Sequence, residues 1–235
     1  MSSDGEALGD VVGTAMADLV ASFAGPTDLT AILSAVTTGA VDLIHEIDFA
    51  DVLLVDEQAF RSVASTAPLA NELDTIQQEL AEGPCLAAAA EDATIVCSDL
   101  ASDQRWPRFA AAALDAGVQS MMSFQLYSYP TESDGGGGGR GALNLFSRNR
   151  CDFSFEDRAL GAMLATHAAI ALIAADRQNQ FESALASRDV IGQAKGIVME
   201  RFKVDATHAF SLMTRLSQNT NTTVRAIAQG IVDTT

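Results

Sequence analysis

Lysine is almost absent from this chain: among 235 residues only Lys195 and Lys203 carry it. Cations as a whole are scarce, with 14 Lys and Arg against 31 Asp and Glu and a formal charge of -17. That balance excludes a protein whose whole surface is built to coat a polyanion. Cysteine occurs only as Cys85, Cys97 and Cys151, and histidine only as His45, His167 and His208. None falls in C-x-x-C or H-x-x-x-H spacing, so neither a metal site nor a disulfide framework is signalled. Free thiols in a reducing cytosol are the expected state. The first residues lack the basic stretch and apolar run of a secretory signal. The most apolar window, ALGAMLATHAAIALIAA at 159–175, is interrupted by Thr166 and His167 and reads as a packed helix rather than a membrane span. No nucleophile–base constellation, P-loop or carboxylate pair points to catalysis, and no receiver domain for aspartyl phosphorylation is indicated.

What is present is a chain that is 48% hydrophobic, enough for a folded core. Its charge is unevenly spread. Residues 186–235 hold six Lys or Arg against four acids, a net +2, whereas residues 1–185 hold eight arginines against 27 acids, a net -19. The acidic total therefore misdescribes the C-terminal fifth of the protein.

Helical spacing of apolar residues runs through GEALGDVVGTAMADLVASFA and stops at Gly25-Pro26. Thr27 or Asp28 can cap the next helix, DLTAILSAVTTGAVDLIHEI. Strands are predicted at FADVLLVDE, RSVAST, ATIVCSDL, SMMSFQLYSY and GALNLFSRN, the last two joined by the polar, glycine-rich PTESDGGGGGRG, with Gly135–Gly139 at its centre. ELDTIQQEL and RWPRFAAAALDAG are helical, EGPC is a loop leading into LAAAAE, and Phe155 to about Phe202 reads as continuous helix. Adjacent antiparallel strands with flanking helices define an α+β domain. The boundaries that follow are an N-terminal helix at 1–26, the α+β domain at 27–175, a helical linker at 176–186 and a helical module at 187–235.

That module opens with SRDVIGQAKGIVMERF. On a wheel of about 100° per residue, Val190, Ile191, Ala194, Ile197, Val198 and Phe202 form the apolar stripe, while Arg188, Gly192, Lys195, Met199 and Lys203 lie within about 80° of one another, with Gly196 beside them. Glycine costs about 1 kcal/mol against alanine inside a helix. Two of them beside three cations point to close approach of a polyanion, or to a packed neighbouring helix. Asp205 can cap ATHAFSLMTRLSQ, and Asn221 or Thr222 can cap TTVRAIAQGIV. Three helices in fifty residues enclose little core, so support from dimerisation or the preceding domain is expected. Along the long helix, Leu160, Leu164, His167, Ala171, Ala174, Gln178, Phe181 and Leu185 follow a heptad seam. Its first half reads equally as an intramolecular packing stripe, and the polar DRQNQFESALASRD as a connector or dimer coil.

The order R-x-x-I-G-x-A-K-G-x-x-M, then A-F, then A-x-x-I-V over residues 187–232 resembles an ANTAR domain, the RNA-binding antitermination module of bacterial regulators. Upstream, EGPCLAA, SDLASDQRWPRFA, AGVQSMMSFQL and GALNLFS resemble the GAF sensor domain that actinobacterial proteins join to ANTAR. The resemblance implies a six-stranded antiparallel GAF sheet, a long connector helix and a three-helix bundle. It further implies a cytoplasmic, dimeric regulator that binds paired hairpins in nascent RNA, with a small-molecule ligand in the GAF domain and no membrane partner. Candidate RNA contacts are Arg188, Gly192, Lys195, Gly196, Met199 and Lys203, with Arg215 and Arg225 from the following helices; Phe202 and Phe210 are assigned to the core. Cys85 and Trp106 are the candidate ligand contacts. Cys85 has no adjacent cation to lower its pKa and is expected to be structural, and Trp106 is expected to anchor a helix start. No cofactor is specified. Two other readings stand beside this one: a helix-turn-helix DNA binder whose last helix offers Arg225 and Gln229 to bases, and a GAF-type enzyme reducing methionine sulfoxide through cysteines.

Overall fold

A computed structural model describes residues 28–55, 60–91, 94–130 and 138–234. The helix expected over 1–26, and Gly135 to Gly137 of the glycine-rich loop, lie outside the described residues.

Asp28 opens the first helix, α1 (Leu29–Leu43), by accepting a hydrogen bond from the Thr30 amide at 3.0 Å. There follow β1 (Phe49–Val55), β2 (Phe60–Val63), α2 (Pro68–Leu80), α3 (Pro84–Glu91), β3 (Thr94–Cys97), α4 (Pro107–Asp115), β4 (Ser120–Pro130) and β5 (Gly138–Ser147). The strands form one sheet in the order β2-β1-β5-β4-β3, every neighbouring pair antiparallel. Among the described residues the sheet has five strands rather than the six that the family resemblance implied. The segment EGPC is not a loop throughout, because proline suits the first turn of a helix and α3 begins at Pro84.

Side chains alternate across the sheet, and each face has its own core. Val52, Leu54, Met122, Phe124, Leu143 and Leu145 face α1 and the start of a long helix, α5 (Phe155–Phe202). On the other face Phe49, Leu53, Met121 and Phe146 pack with Leu73 of α2, Cys85 of α3 and Phe109 of α4. The Phe49 and Phe146 rings stack with centroids 5.0 Å apart. The seam expected along α5 divides: Leu160 and Leu164 are buried in the sheet's core and Ala171 is buried as well, whereas Phe181 and Leu185 are exposed. His167 is half-buried, with Nδ1 2.9 Å from the Met163 carbonyl, the position of a satisfied packing residue.

By length and composition α5 contains a window apolar enough to cross a membrane, a test that 159–175 was expected to fail, and 44% of that window is buried. Leu160, Leu164, Ala168, Ala169 and Leu172 in it belong to the sheet's core, which accounts for its apolar character.

The chain divides into two compact units, Met1–Asp176 and Arg177–Thr235. In the second, the last part of α5 is followed by α6 (Ala206–Thr220) and α7 (Val224–Asp233). Ala194 and Val198 of α5, Ala209 and Met213 of α6 and Ala228 of α7 are its buried hydrophobic residues, with Val190, Ile191, Ile227 and Ile231 packed around the core. So narrow a core cannot cover Phe202 or Phe210. They are 66% and 46% exposed, which corrects their assignment to the interior.

Candidate functional site

In the second unit, Arg188, Gly192 and Lys195 project from successive turns of α5 into one groove, a spacing of four and three residues that keeps them on one helix face. The facing wall comes from the first turns of α6, with Ala206, Thr207 and Phe210. The groove has a volume of about 810 Å³. Its α6 side starts at Asp205, whose carboxylate accepts from the His208 amide at 2.8 Å and fixes the entry of the helix. A Cβ added at Gly192 or at Gly196 would meet nothing within 4 Å. Neither glycine is needed for packing inside the bundle, and both leave backbone open to solvent.

The remaining candidates are placed elsewhere. Met199 is half-buried and Gly196 exposed on α5. Lys203 departs from the wheel: α5 ends at Phe202, Lys203 has a left-handed φ of 54°, and its Nζ lies 2.8 Å from Glu200 Oε1. Arg215 is exposed on α6. Arg225 Nη1 donates to Ser183 Oγ at 3.1 Å, and Gln229 Nε2 to Asp233 Oδ1 at 2.7 Å. Asn221 does not cap α7. It terminates α6 in the left-handed region, and Thr223 caps α7 by accepting from the Ala226 amide.

In the first unit, three neighbouring strands place polar residues side by side on the face toward α2 and α3: Asp51 pairs across to Asn144, and Asn144 to Ser123. All three are completely buried. Asn144 Nδ2 donates to Asp51 Oδ1 at 2.8 Å and lies 3.5 Å from Asp74 Oδ1, while Ser62 Oγ donates to Asp51 Oδ2 at 2.9 Å and Ser123 Oγ to Asn144 Oδ1 at 3.0 Å. Asp74 reaches this row from α2, as does Gln77, which accepts from the Cys85 amide at 2.9 Å and donates to Cys85 Sγ at 2.7 Å. Gly83 has a φ of 152° and rests on Gln77, leaving no room for a Cβ.

Burial raises both carboxyls. Asp74 is pushed up to about 9, by desolvation first and then by the charge of Asp51, and Asp51 is raised by desolvation. At neutral pH the pair therefore holds a proton between two oxygens that cannot both ionise. Asp74 Oδ2 is buried and has no hydrogen-bond partner among the described residues. Beside it a cavity of about 360 Å³ opens between β2 and α2, walled by Asp74, Ser62, Asn71, Thr75, Phe60 and Arg61.

The two ligand candidates from the sequence belong to the scaffold of this face. Cys85 is fully buried, and burial, then the neighbouring Asp74 and Asp51, hold its thiol well above the usual range. Trp106 occupies the N-cap position of α4, half-buried, under the Arg105 guanidinium at 4.2 Å. Asp51 and Asp74 escaped the sequence reading. Their signal is positional: Asp51 interrupts the apolar FADVLLV, and Asp74 and Gln77 continue the i, i+3, i+4, i+7 stripe begun by Ala70 and Leu73.

An α+β sensor-type module followed in sequence by a small helical module with a cationic groove has the architecture of a signal-responsive regulator. The GAF domain model matches residues 26–173, and the chain belongs to that family; the ANTAR domain model matches residues 179–232, so the chain carries a GAF and an ANTAR domain. No curated protein matches the chain. Among solved structures, the fold is similar to free methionine-R-sulfoxide reductase from Neisseria meningitidis, with a TM-score of 0.53 at 19% identity, over 76% of this chain and 95% of that one. It is also similar to the GAF domain of a phosphoenolpyruvate-protein phosphotransferase from Coxiella burnetii (TM-score 0.52, 13% identity, 71% and 95% covered) and to that from Acinetobacter (0.51, 14%, 71% and 95%).

Proposed function

We propose that this chain is a cytoplasmic transcription antitermination regulator that binds paired hairpins in nascent RNA through its ANTAR domain, with its GAF domain as the sensor of a small molecule. The observation that carries the reading is the groove in which Arg188, Lys195 and the open backbone at Gly192 face Phe210. Cations neutralise phosphates, and an exposed aromatic ring offers a surface on which an unpaired loop base stacks. Arg215 is a further phosphate contact. Lys203, held by Glu200, contributes to the local field more than to a shaped site.

The protein acts as a homodimer in this reading, since the exposed Phe181 and Leu185 continue the heptad spacing of α5 and a second copy would cover them. Signal transfer is a shift between arrangements that present one or two RNA sites.

Two observations favour this reading over its alternatives. For helix-turn-helix DNA binding, Arg225 and Gln229 are already hydrogen-bonded within the unit, which leaves the last helix poor in free base readers. For sulfoxide reduction, Cys85 is buried with a raised pKa and burial pushes Cys97 up to about 12, the opposite of what a thiolate nucleophile needs. The chain is therefore read as a regulator and not an enzyme.

The test is a salt-titrated binding assay of the full-length protein against a tandem-hairpin RNA, with duplex DNA of equal length as control. Preferential binding of the hairpin RNA is expected. Tighter binding to the duplex would move the assignment to DNA, and no binding to either at low salt would remove the antitermination reading.

A further inference from the structure

The sensor reading leaves open what the GAF domain senses, and the β2–α2 cavity is the place where the chemistry is specific. Its inner wall is a carboxyl, Asp74, only 5% exposed, with Oδ2 unpartnered among the described residues and Asp51 behind it. An unsatisfied buried oxygen is costly unless something donates to it. The hydrogen-bonding capacity of Asn144, Ser62 and Gln77 is directed to Asp51 Oδ1 and Oδ2, Asp74 Oδ1 and Cys85. Oδ2 is left without a donor among them, and Asp74 is one of the residues that wall the cavity.

We propose that this cavity binds a small organic ligand through an ammonium or amidinium group that donates to the Asp74 carboxyl. The proposal rests on the sensor reading of the GAF domain and gives that sensor a ligand class. The pair carries one negative charge with its proton and two without it, so a cation placed there takes the proton's place. The proton held by the pair is then released to solvent, so charge balances: one cation enters and one proton leaves. The volume, about 360 Å³, suits a ligand of amino-acid size. Arg61 on β2 lies in the same walls, so a carboxylate on the ligand would have a cation within reach. Simple amines and α-amino acids share the ammonium group, and the experiment separates them.

Binding is expected to be linked to pH. The titratable groups facing the pair are Cys85 from α3, which stays a neutral thiol, and Arg61 from β2. The proton on the carboxyl pair is then the one that competes with the ligand, and affinity rises as the pH is raised from about 6 to about 8.

The experiment uses the full-length protein with n-butylamine, agmatine and the common L-amino acids as probes and butyrate as the amine-free control. Thermal shift finds the binders. Calorimetry in phosphate and in HEPES then reads proton release from the difference in apparent enthalpy. At least one ammonium- or amidinium-bearing probe is expected to raise Tm and release a proton, butyrate to do neither, and Asp74→Asn to weaken binding at least tenfold while keeping the native circular dichroism. Binding by amino acids alone assigns the zwitterion, and binding by the simple amines assigns the amine itself. The proposal is overturned if no probe binds, if butyrate binds as well as the amines, if enthalpies agree between buffers, or if both Asp74→Asn and Asp51→Asn bind like the wild type. Hairpin RNA binding measured on the same samples scores the antitermination reading separately, because its groove shares no residue with this cavity.

Discussion

Asn144 stands between two acids, its amide nitrogen 2.8 Å from Asp51 Oδ1 and 3.5 Å from Asp74 Oδ1. One neutral side chain thus addresses two carboxyls that burial has already pushed toward protonation. Its oxygen accepts from Ser123 at 3.0 Å, which ties the pair to β4.

Stability should therefore fall as pH rises. Asp74 has a folded-state pKa of about 9 against an ordinary 3.8. Its contribution is complete below the ordinary value and is lost as the pH climbs through the folded-state value, because over that window the unfolded chain has released a proton that the folded protein still holds. Urea denaturation at pH 5, 6.5 and 8 is expected to show this loss, with a limiting slope of about 1.4 kcal/mol per pH unit. Asp74→Asn, which keeps a donor toward Asp51, should flatten the dependence and be the more stable protein at pH 8. Parallel pH curves for the two proteins would contradict the assignment.

Lys195→Glu is expected to weaken hairpin RNA binding at least tenfold at low salt and to reduce the slope of log affinity against log salt by about one to two contacts. Its Tm should stay within a degree or two, since Lys195 lies in the groove wall and forms no ion pair among the described residues. An unchanged salt slope would take the groove out of the interface.

The two exposed phenylalanines are expected to separate. Phe210 lies in the cationic groove, whereas Phe202 lines an apolar groove with Val198, Met213 and Leu216. Phe210→Ala should cost RNA binding about 1–3 kcal/mol, the range for one stacked base, and Phe210→Trp should retain it. Phe202→Ala should leave affinity per protomer unchanged. Equal losses from both alanine variants would point to bundle stability instead of stacking, and a thermal melt of each distinguishes these.

Gly192→Ala is expected to raise the stability of the C-terminal unit by up to about 1 kcal/mol, because the added methyl meets open space and alanine is the better helix former. The same methyl stands where a phosphate would approach the backbone, so RNA affinity should fall. A variant both more stable and equally competent for RNA would mean that the ligand never comes that close.

Much of the fold was legible because local signals and tertiary structure agree. Asp28 and Asp205 cap the helices that their positions announced, and Gly117, at φ 85°, ends α4 where the glycine after LDA placed the stop. The β4–β5 hairpin follows from two alternating runs around a polar, glycine-rich connector. The candidate site was legible in part. Arg188, Gly192 and Lys195 converge because a wheel is faithful within one helix, and Lys203 does not because the wheel assumes a helix that had already ended. The exposure of Phe202 and Phe210 depends on how little a core built mostly of alanines, with one methionine and one valine, can cover, which periodicity does not report. The Asp51–Asp74 pair was invisible for a different reason: the partners are 23 positions apart, and only the packing of α2 on the sheet brings them together.

The buried row Asp51, Asn144 and Ser123 occupies the middle of the sheet, where leucine or valine would pack against the same neighbours without a proton to hold. Replacing buried charged groups with apolar residues of similar volume is often neutral or stabilising. A selection for heat resistance applied to this protein should therefore return substitutions at these positions early, and the survivors should be robust proteins that have gone deaf: folded, competent for RNA, and no longer answering to whatever enters beside Asp74.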